Sequence, residues 1–232
     1  MRVFVAGATG VIGRALLPLL LQAGHAVVGM TRSPERAGWL ESLGAELALV
    51  DAFDRDALGA AVAQAAPDVV IHQLTDLSRG FTTADLLRNE RLRTAGTRNL
   101  VDACIEAGTV RLIAQSGAWL YAAGPLPHTE AEPLPLPGAG DEDATLRGIR
   151  ELERLVLETA GLTGIALRYG FLYGPGTGAE REATPLPRVS VEGAARAALL
   201  AIDHGSAGAY NVVDDDPAVS NGRARRELGW QP

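Results

Sequence analysis

No lysine occurs among the 232 residues, so all 21 basic side chains are arginines. Every mechanism that needs a lysine amine is thereby excluded. Cysteine is nearly absent. The single Cys104 cannot form an internal disulfide, so a reducing, cytoplasmic setting is expected. Within the apolar run LVDACI, Cys104 reads as a buried core thiol. An excess of positive charge is also lacking. The net charge of −7 argues against nucleic acid as the main partner, because binding phosphate backbones needs a basic surface. The apolar run LLPLLL at 16–21 is too short to span a bilayer and is broken by Pro18, so no membrane partner is expected. Met1 and Arg2 lead directly into VFVAGATG, which reads as a strand and its turn rather than a targeting segment. No metal site is expected.

Nearly half the residues are apolar, which suits one packed core of this length. Short apolar, often β-branched runs fall at 2–6, 26–30, 46–50, 68–72, 110–115, 164–169 and 210–214. Segments of helical composition alternate with them at 12–23, 34–43, 55–65, 84–107, 145–159 and 190–203. Ser33 is a plausible N-cap for the second helix, with Pro34 at its first position, and Gly108 suits the end of the long fourth helix. Continuous apolar strands alternating with helices predict an α/β fold, a doubly wound parallel sheet covered on both faces. Residues 122–143 and 174–188 are rich in proline and glycine and read as loops. The expected organisation is one α/β unit over 1–175, followed by a short segment over 176–232 that holds the last helix and strand of the unit.

The turn Gly7-Ala8-Thr9-Gly10-Val11-Ile12-Gly13 lies between a strand and a helix, with glycines three residues apart. Gly7 permits the tight turn. Gly10 lets the backbone approach a pyrophosphate, and Gly13 lets the helix pack close to the strand. The pyrophosphate then meets free N–H groups and the positive end of the helix dipole. Selectivity for NAD usually comes from an acid about 20 residues beyond the glycines, which bonds the ribose 2′-hydroxyl. Here the second strand ends Gly29-Met30-Thr31-Arg32-Ser33. Arg32 is a fixed cation suited to a 2′-phosphate, so NADP(H) is the expected cofactor and NAD(H) the alternative.

In chain order the motifs are GATGVIG (7–13), VVIHQLT (69–75), AGTRNLVDAC (95–104), QSGAWLY (115–121), LRYGFLYGPGTG (167–178), YNVVD (210–214) and SNGRARRELGW (220–230). On these the chain resembles the extended short-chain dehydrogenase/reductase family, of the NAD-dependent epimerase/dehydratase type. The resemblance implies that Asp51 and Ala52 touch adenine. Gln73, Leu74 and Thr75 would line the ribose and pyrophosphate. Ser116 would lie near the nicotinamide, walled by Tyr169, Gly170, Phe171 and Leu172. It also implies a dinucleotide-binding Rossmann domain over 1–175 and a reduced substrate lobe within 176–232. Since relatives often dimerise, it further implies a homodimer through the helices matching 84–107 and 145–159.

The same resemblance exposes a departure. Relatives carry a Tyr-x-x-x-Lys pair, the tyrosine as acid/base and the lysine lowering its pKa. Aligned through ELERLVLE, those positions fall on Thr145 and Ile149, and the family's serine or threonine position falls on Gly117, beside Ser116. Ser116 and Tyr121 are the candidate catalytic residues, with His128 and Glu130 on the following loop as further proton carriers. Three readings follow. One is an oxidoreductase with an atypical proton donor acting on a small carbonyl, hydroxyl or sugar-like molecule. Another is an isomerase or cyclase that uses the cofactor as scaffold. The third is a non-catalytic nucleotide sensor.

Overall fold

The computed structural model describes every residue except 77–79, 178 and 180–186, so most of the expected loop at 174–188, including Pro185, lies outside the described residues. The first half runs β1 (Arg2–Ala6), α1 (Val11–Gln22), β2 (Ala26–Thr31), α2 (Ala37–Ser42), β3 (Glu46–Leu49), α3 (Arg55–Ala65) and β4 (Val69–His72). There follow α4 (Thr83–Arg91), α5 (Thr97–Glu106), β5 (Arg111–Gly117), α6 (Ala144–Glu158), β6 (Thr163–Tyr169), β7 (Phe171–Tyr173), β8 (Arg188–Ser190), α7 (Val191–Asp203) and β9 (Gly208–Val212). Seven strands form one parallel sheet in the order β3-β2-β1-β4-β5-β6-β9, which is the expected doubly wound arrangement. A short parallel pair, β7 with β8, stands apart from it.

The strands read as unbroken apolar runs because helices cover both faces of the sheet. One layer packs α1 and α7 through Leu16, Leu17, Leu20, Ala194 and Ala198. The other packs α3, α5 and α6 through Leu58, Val62, Leu100, Cys104, Leu152 and Val156. Cys104 is fully buried, and burial pushes its thiol up to about 12, so it is an inert core residue as expected. Trp230 is also fully buried and donates its indole N–H to the Gly193 carbonyl at 2.8 Å, which fastens the end of the chain beneath α7. Among the described residues no helix is long and apolar enough to cross a membrane.

Some local expectations need correction. Ser33 sits in the N-cap position with extended backbone, but its side chain makes no capping bond, and a 3-10 turn (Pro34–Arg36) precedes α2. The long helix at 84–107 is two α-helices joined by a wider π turn, Leu92–Gly96. The Thr94 hydroxyl there donates to the carbonyls of Glu90 and Arg91, an alternative to the regular ladder that favours such a bulge. A second π turn, Ala224–Leu228, closes the chain. Gly108 follows α5 in the left-handed region (φ +72°), as its position implied.

His72 ends β4 and is 1% exposed. Its Nδ1 accepts from the Leu74 amide at 3.2 Å, which fixes the proton on Nε2, 2.8 Å from the Thr97 hydroxyl of α5. Burial, with help from the positive charge of Arg93, lowers its pKa from 6.5 to about 4. Above pH 6.5 the ring is neutral in both folded and unfolded chains and its contribution to stability is complete. As pH falls towards 4 only the unfolded chain takes the proton, so stability is lost at about 1.4 kcal/mol per pH unit, on the order of 3 kcal/mol in total. We expect His72→Gln to flatten the dependence of the urea midpoint on pH across this window. An unchanged slope would assign the acid sensitivity elsewhere.

Candidate functional site

The strand order reverses between β1 and β4, and ligands of such sheets bind at the carboxyl ends of the strands flanking that point. Three glycines shape the turn there. Gly7 adopts φ +87°, and a Cβ on it would lie 2.7 Å from the Gln73 carbonyl oxygen. A Cβ on Gly13 would lie 2.4 Å from the carbonyl oxygens of both Gly7 and Ala8. Gly10 differs, since its backbone is extended (φ −76°, ψ 179°) and its nearest neighbour would be Gly7 O at 3.2 Å. Gly10 is the N-cap of α1 and no side chain caps the helix, which leaves the first amides, from Val11 through Gly13, for an anionic ligand. Thr9 is tied to the end of β2 by a 3.2 Å contact between its hydroxyl and that of Thr31, so this hydroxyl is engaged within the protein. A cradle open at Gly10 and closed at Gly7 and Gly13 fits a dinucleotide pyrophosphate.

Arg32, at the end of β2, is exposed and points a guanidinium nitrogen at Asp76 Oδ2, 3.6 Å away. Asp76 follows β4 and lies 3.9 Å from Arg88 Nε of α4. Because β2 and β4 flank β1, the Arg32–Asp76 contact reaches across the end of β1. Asp51 accepts the Phe53 amide at 2.9 Å, and the Ala52 carbonyl accepts from Asn99 at 2.9 Å. Gln73 is buried with its Oε1 unpartnered, Leu74 is half-buried and Thr75 is exposed.

Ser116 and Tyr121 belong to a buried polar network. The Ser116 hydroxyl donates to Glu153 Oε1 at 2.6 Å, and Arg168 holds both Glu153 oxygens at 2.8 and 2.7 Å. Arg168 also donates to the Tyr121 hydroxyl at 2.8 Å, which in turn donates to Asn211 at 2.8 Å. Burial lifts the Tyr121 phenol above its ordinary pKa, against the opposing pull of Arg168. Its proton is already engaged and is harder to remove than in water. His128 stacks on Tyr121 and bonds Glu132, and Glu130 accepts the Asn211 amide at 2.7 Å, so both tie the proline-rich loop to the body. On α6, Thr145 is half-buried and Ile149 fully buried in an apolar cluster with Leu134 and Leu146.

Tyr169 is placed differently from the expected wall. Its ring is in the core, and its hydroxyl donates to the Ala194 carbonyl at 3.1 Å. A Cβ on Gly170 would lie 2.7 Å from Arg188 Cα, so the chain there is pressed against the start of β8. Leu172 and Phe171 are half-buried, and the Phe171 ring packs against Trp119 with centroids 4.5 Å apart. Neither Trp119 nor Asp76 was expected from the sequence. Trp119 had a signal, since it lies two residues beyond Gly117 in QSGAWLY, and a Cβ at Gly117 would strike its ring at 2.9 Å.

Residues 3–229 match the family described as NAD dependent epimerase/dehydratase. The chain is 41% identical to a 3-diazoavenalumate denitrifying reductase of Streptomyces sp, over 94% of this chain and 77% of that protein. It is 30% identical to a dTDP-4-dehydrorhamnose reductase of Streptomyces griseus, over 75% of this chain and 51% of that protein. Among solved structures, a UDP-glucose 4-epimerase of Thermotoga maritima superposes with a TM-score of 0.80 at 19% identity, covering 100% of this chain and 94% of that one.

The geometry separates the glycines experimentally. A methyl at Gly10 costs the fold little but fills the approach to the α1 amides. We expect Gly10→Ala to melt within a few degrees of the parent yet lose at least tenfold in dinucleotide affinity by calorimetry. Gly13→Ala should fail to fold, because its methyl meets backbone oxygens that cannot move aside. Full nucleotide affinity in Gly10→Ala would place the phosphates elsewhere.

Proposed function

The chain belongs to the NAD dependent epimerase/dehydratase family, and within it we propose that the protein is an NADPH-dependent reductase whose substrate takes a hydride without needing a proton from the enzyme. The observation that carries this reading is α6. Where a proton-donating tyrosine and its lysine would stand, the helix has Thr145 and the packed Ile149, and the chain has no lysine at all. A threonine hydroxyl has no useful acidity near neutral pH. Tyr121 does not replace the pair readily, because its proton is held by Asn211 and burial raises its pKa. Ser116 and Tyr121 are proposed here as positioning residues, which hold the end of β5 through Glu153 and Arg168.

The residues proposed to hold the cofactor are the glycine turn with Val11 and Ile12, Asp51 and Ala52, Gln73 through Thr75, and Gly170 through Leu172. When bound, a reduced nicotinamide supplies hydride. A carbonyl that accepts a hydride becomes an alkoxide and calls for an acid. An aryl diazonium carbon that accepts one loses its nitrogen as neutral N2, leaving an arene with charge and electrons balanced and no proton consumed. The name of the 41% identical reductase describes a diazo substrate and its denitrification. The tilted pair Trp119 and Phe171 supports the same choice, since it offers aromatic surface at the ends of β5 and β6. The NADPH preference rests on Arg32, with Asp76 as the internal anion that a 2′-phosphate would displace.

Incubation with an aryl diazonium salt and deuterated NADPH is the direct test. The expected result is protein-dependent release of N2, with deuterium in the arene and a rate nearly flat between pH 6 and 9. Turnover confined to ketones, falling as pH rises, would instead point to a proton donor. Nucleotide binding without turnover of either substrate would favour a sensor. For the cofactor, Arg32→Ala should weaken NADPH by roughly tenfold or more, the scale of a charge-assisted contact, and leave NADH nearly unchanged. Equal losses for both nucleotides would remove Arg32 from 2′-phosphate recognition.

A further inference from the structure

Two arginines are buried deeply, and they differ in one respect. Arg168 has Glu153 as a two-pronged partner. Arg93 is 3% exposed, its Nη1 is buried without a hydrogen-bond partner, and no carboxylate among the described residues pairs with it. Burial alone lowers its pKa to about 10. Leaving a cation desolvated and unpaired is expensive, so a buried cation of this kind marks a place where a ligand's counter-charge would be strongly favoured.

The surroundings of Arg93 place it at the ligand-binding edge of the sheet. It lies in the π turn Leu92–Gly96, and Thr97, one turn further on, contacts His72 at the carboxyl end of β4. The charge of Arg93 acts on that same His72. The chain leaves His72 directly into Gln73–Thr75, the segment against which Gly7 packs. On the opposite side lies α6. A Cβ on Gly148 would sit 3.4 Å from both Cβ and Cδ of Arg93, so the missing side chain at Gly148 makes room for the arginine stem. The next residue along α6 is Ile149. The guanidinium therefore enters between the end of β4 and the stretch of α6 that has no lysine.

We propose that Arg93 is the anion anchor of this site, receiving either a phosphate of the dinucleotide or a carboxylate of the substrate between β4 and α6. The proposal rests on the dinucleotide reading above and adds to it a resident cation and the class of group it binds. It also accounts for the widened turn, since π bulges re-aim side chains at functional positions.

The test compares Arg93→Met and Arg93→Lys with the parent, by thermal melting and by calorimetric titration with NADPH, NADH and, in the presence of NADPH, cinnamate as an aryl carboxylate probe. The expected Arg93→Met protein melts higher than the parent without ligand, because an apolar stem removes an unpaired charge. It should lose at least tenfold in affinity for one class of probe, with Arg93→Lys recovering part of the loss. Loss for both nucleotides assigns the phosphate, and loss for cinnamate alone assigns the carboxylate. The proposal is overturned if Arg93→Met binds the nucleotides like the parent and cinnamate shows no binding that depends on Arg93. Should Arg93→Met fail to fold, Arg93→Lys with unchanged affinity for every probe overturns it equally. A parent protein that binds neither nucleotide instead removes the dinucleotide reading, which separates the two failures.

Discussion

Two carbonyl oxygens, those of Gly7 and Ala8, decide how near α1 can lie to the sheet. Each is only 2.4 Å from the point where a side chain on Gly13 would begin. That close approach aims the first turn of α1 at the crevice. It also lets Leu16, Leu17 and Leu20 reach the core, where α7 is built largely from alanine to lie flat beside them. The same backbone economy joins β1 to β4, because Gly7 has the exit of β4 against it. A single glycine-lined junction thus sets the packing of one helical layer and the shape of the candidate site. Substitutions in this turn divide into those that break the fold and those that only close the cradle.

Charge burial is the second organising constraint, and the chain solves it in two ways. Around Arg168 every charge is answered: Glu153 takes two bonds, Tyr121 accepts a third, and Ser116 and Asn211 complete the set. Such a satisfied network fixes the relative positions of α6, β5, β6 and β9 and makes the loop after β5 a rigid part of the body. Around Arg93 the account is open, and His72, the titratable group its charge acts on, is itself held neutral. The network that closes and the cation that does not both pack against α6, through Glu153 and Gly148 respectively. The contrast separates architecture from a place where a ligand completes the structure.

Much of this was legible in the sequence wherever the physics is local. Strands buried on both faces must be apolar throughout, so their runs marked the main sheet to within a residue or two. The spacing of Gly7, Gly10 and Gly13 encodes local requirements: Gly7 and Gly13 have no room for a side chain, and Gly10 keeps the approach to the α1 amides open. Long-range partners were not legible. Ser116 and Glu153 are 37 residues apart, and nothing in either neighbourhood says that they meet. The Arg32–Asp76 contact depends on strand order, which places β4 next to β1 on the side away from β2. The burial of Arg93 was not legible either, because it depends on the packing of Gly148 of α6 against it. Three-residue strands such as β7 and β8 carry too little periodicity to be seen, and Ser33 showed that a capping residue in the right place still needs the right geometry.

On the proposed reading, the chemistry follows from what a site without a proton donor permits. Hydride transfer adds two electrons and one proton's worth of hydrogen to the acceptor, and the acceptor's fate decides what else the enzyme must supply. An oxygen that gains charge needs an acid placed within hydrogen-bond reach, and a site without one leaves that charge in a low-dielectric crevice at high cost. A leaving group that departs neutral removes the need altogether. A substrate cation also changes the electrostatic demand, since a lysine in the site would repel it, whereas an arginine paired with the substrate's own carboxylate would not. On the proposed reading, the absence of lysine and the packed isoleucine on α6 belong to a site whose acceptor has no use for an acid.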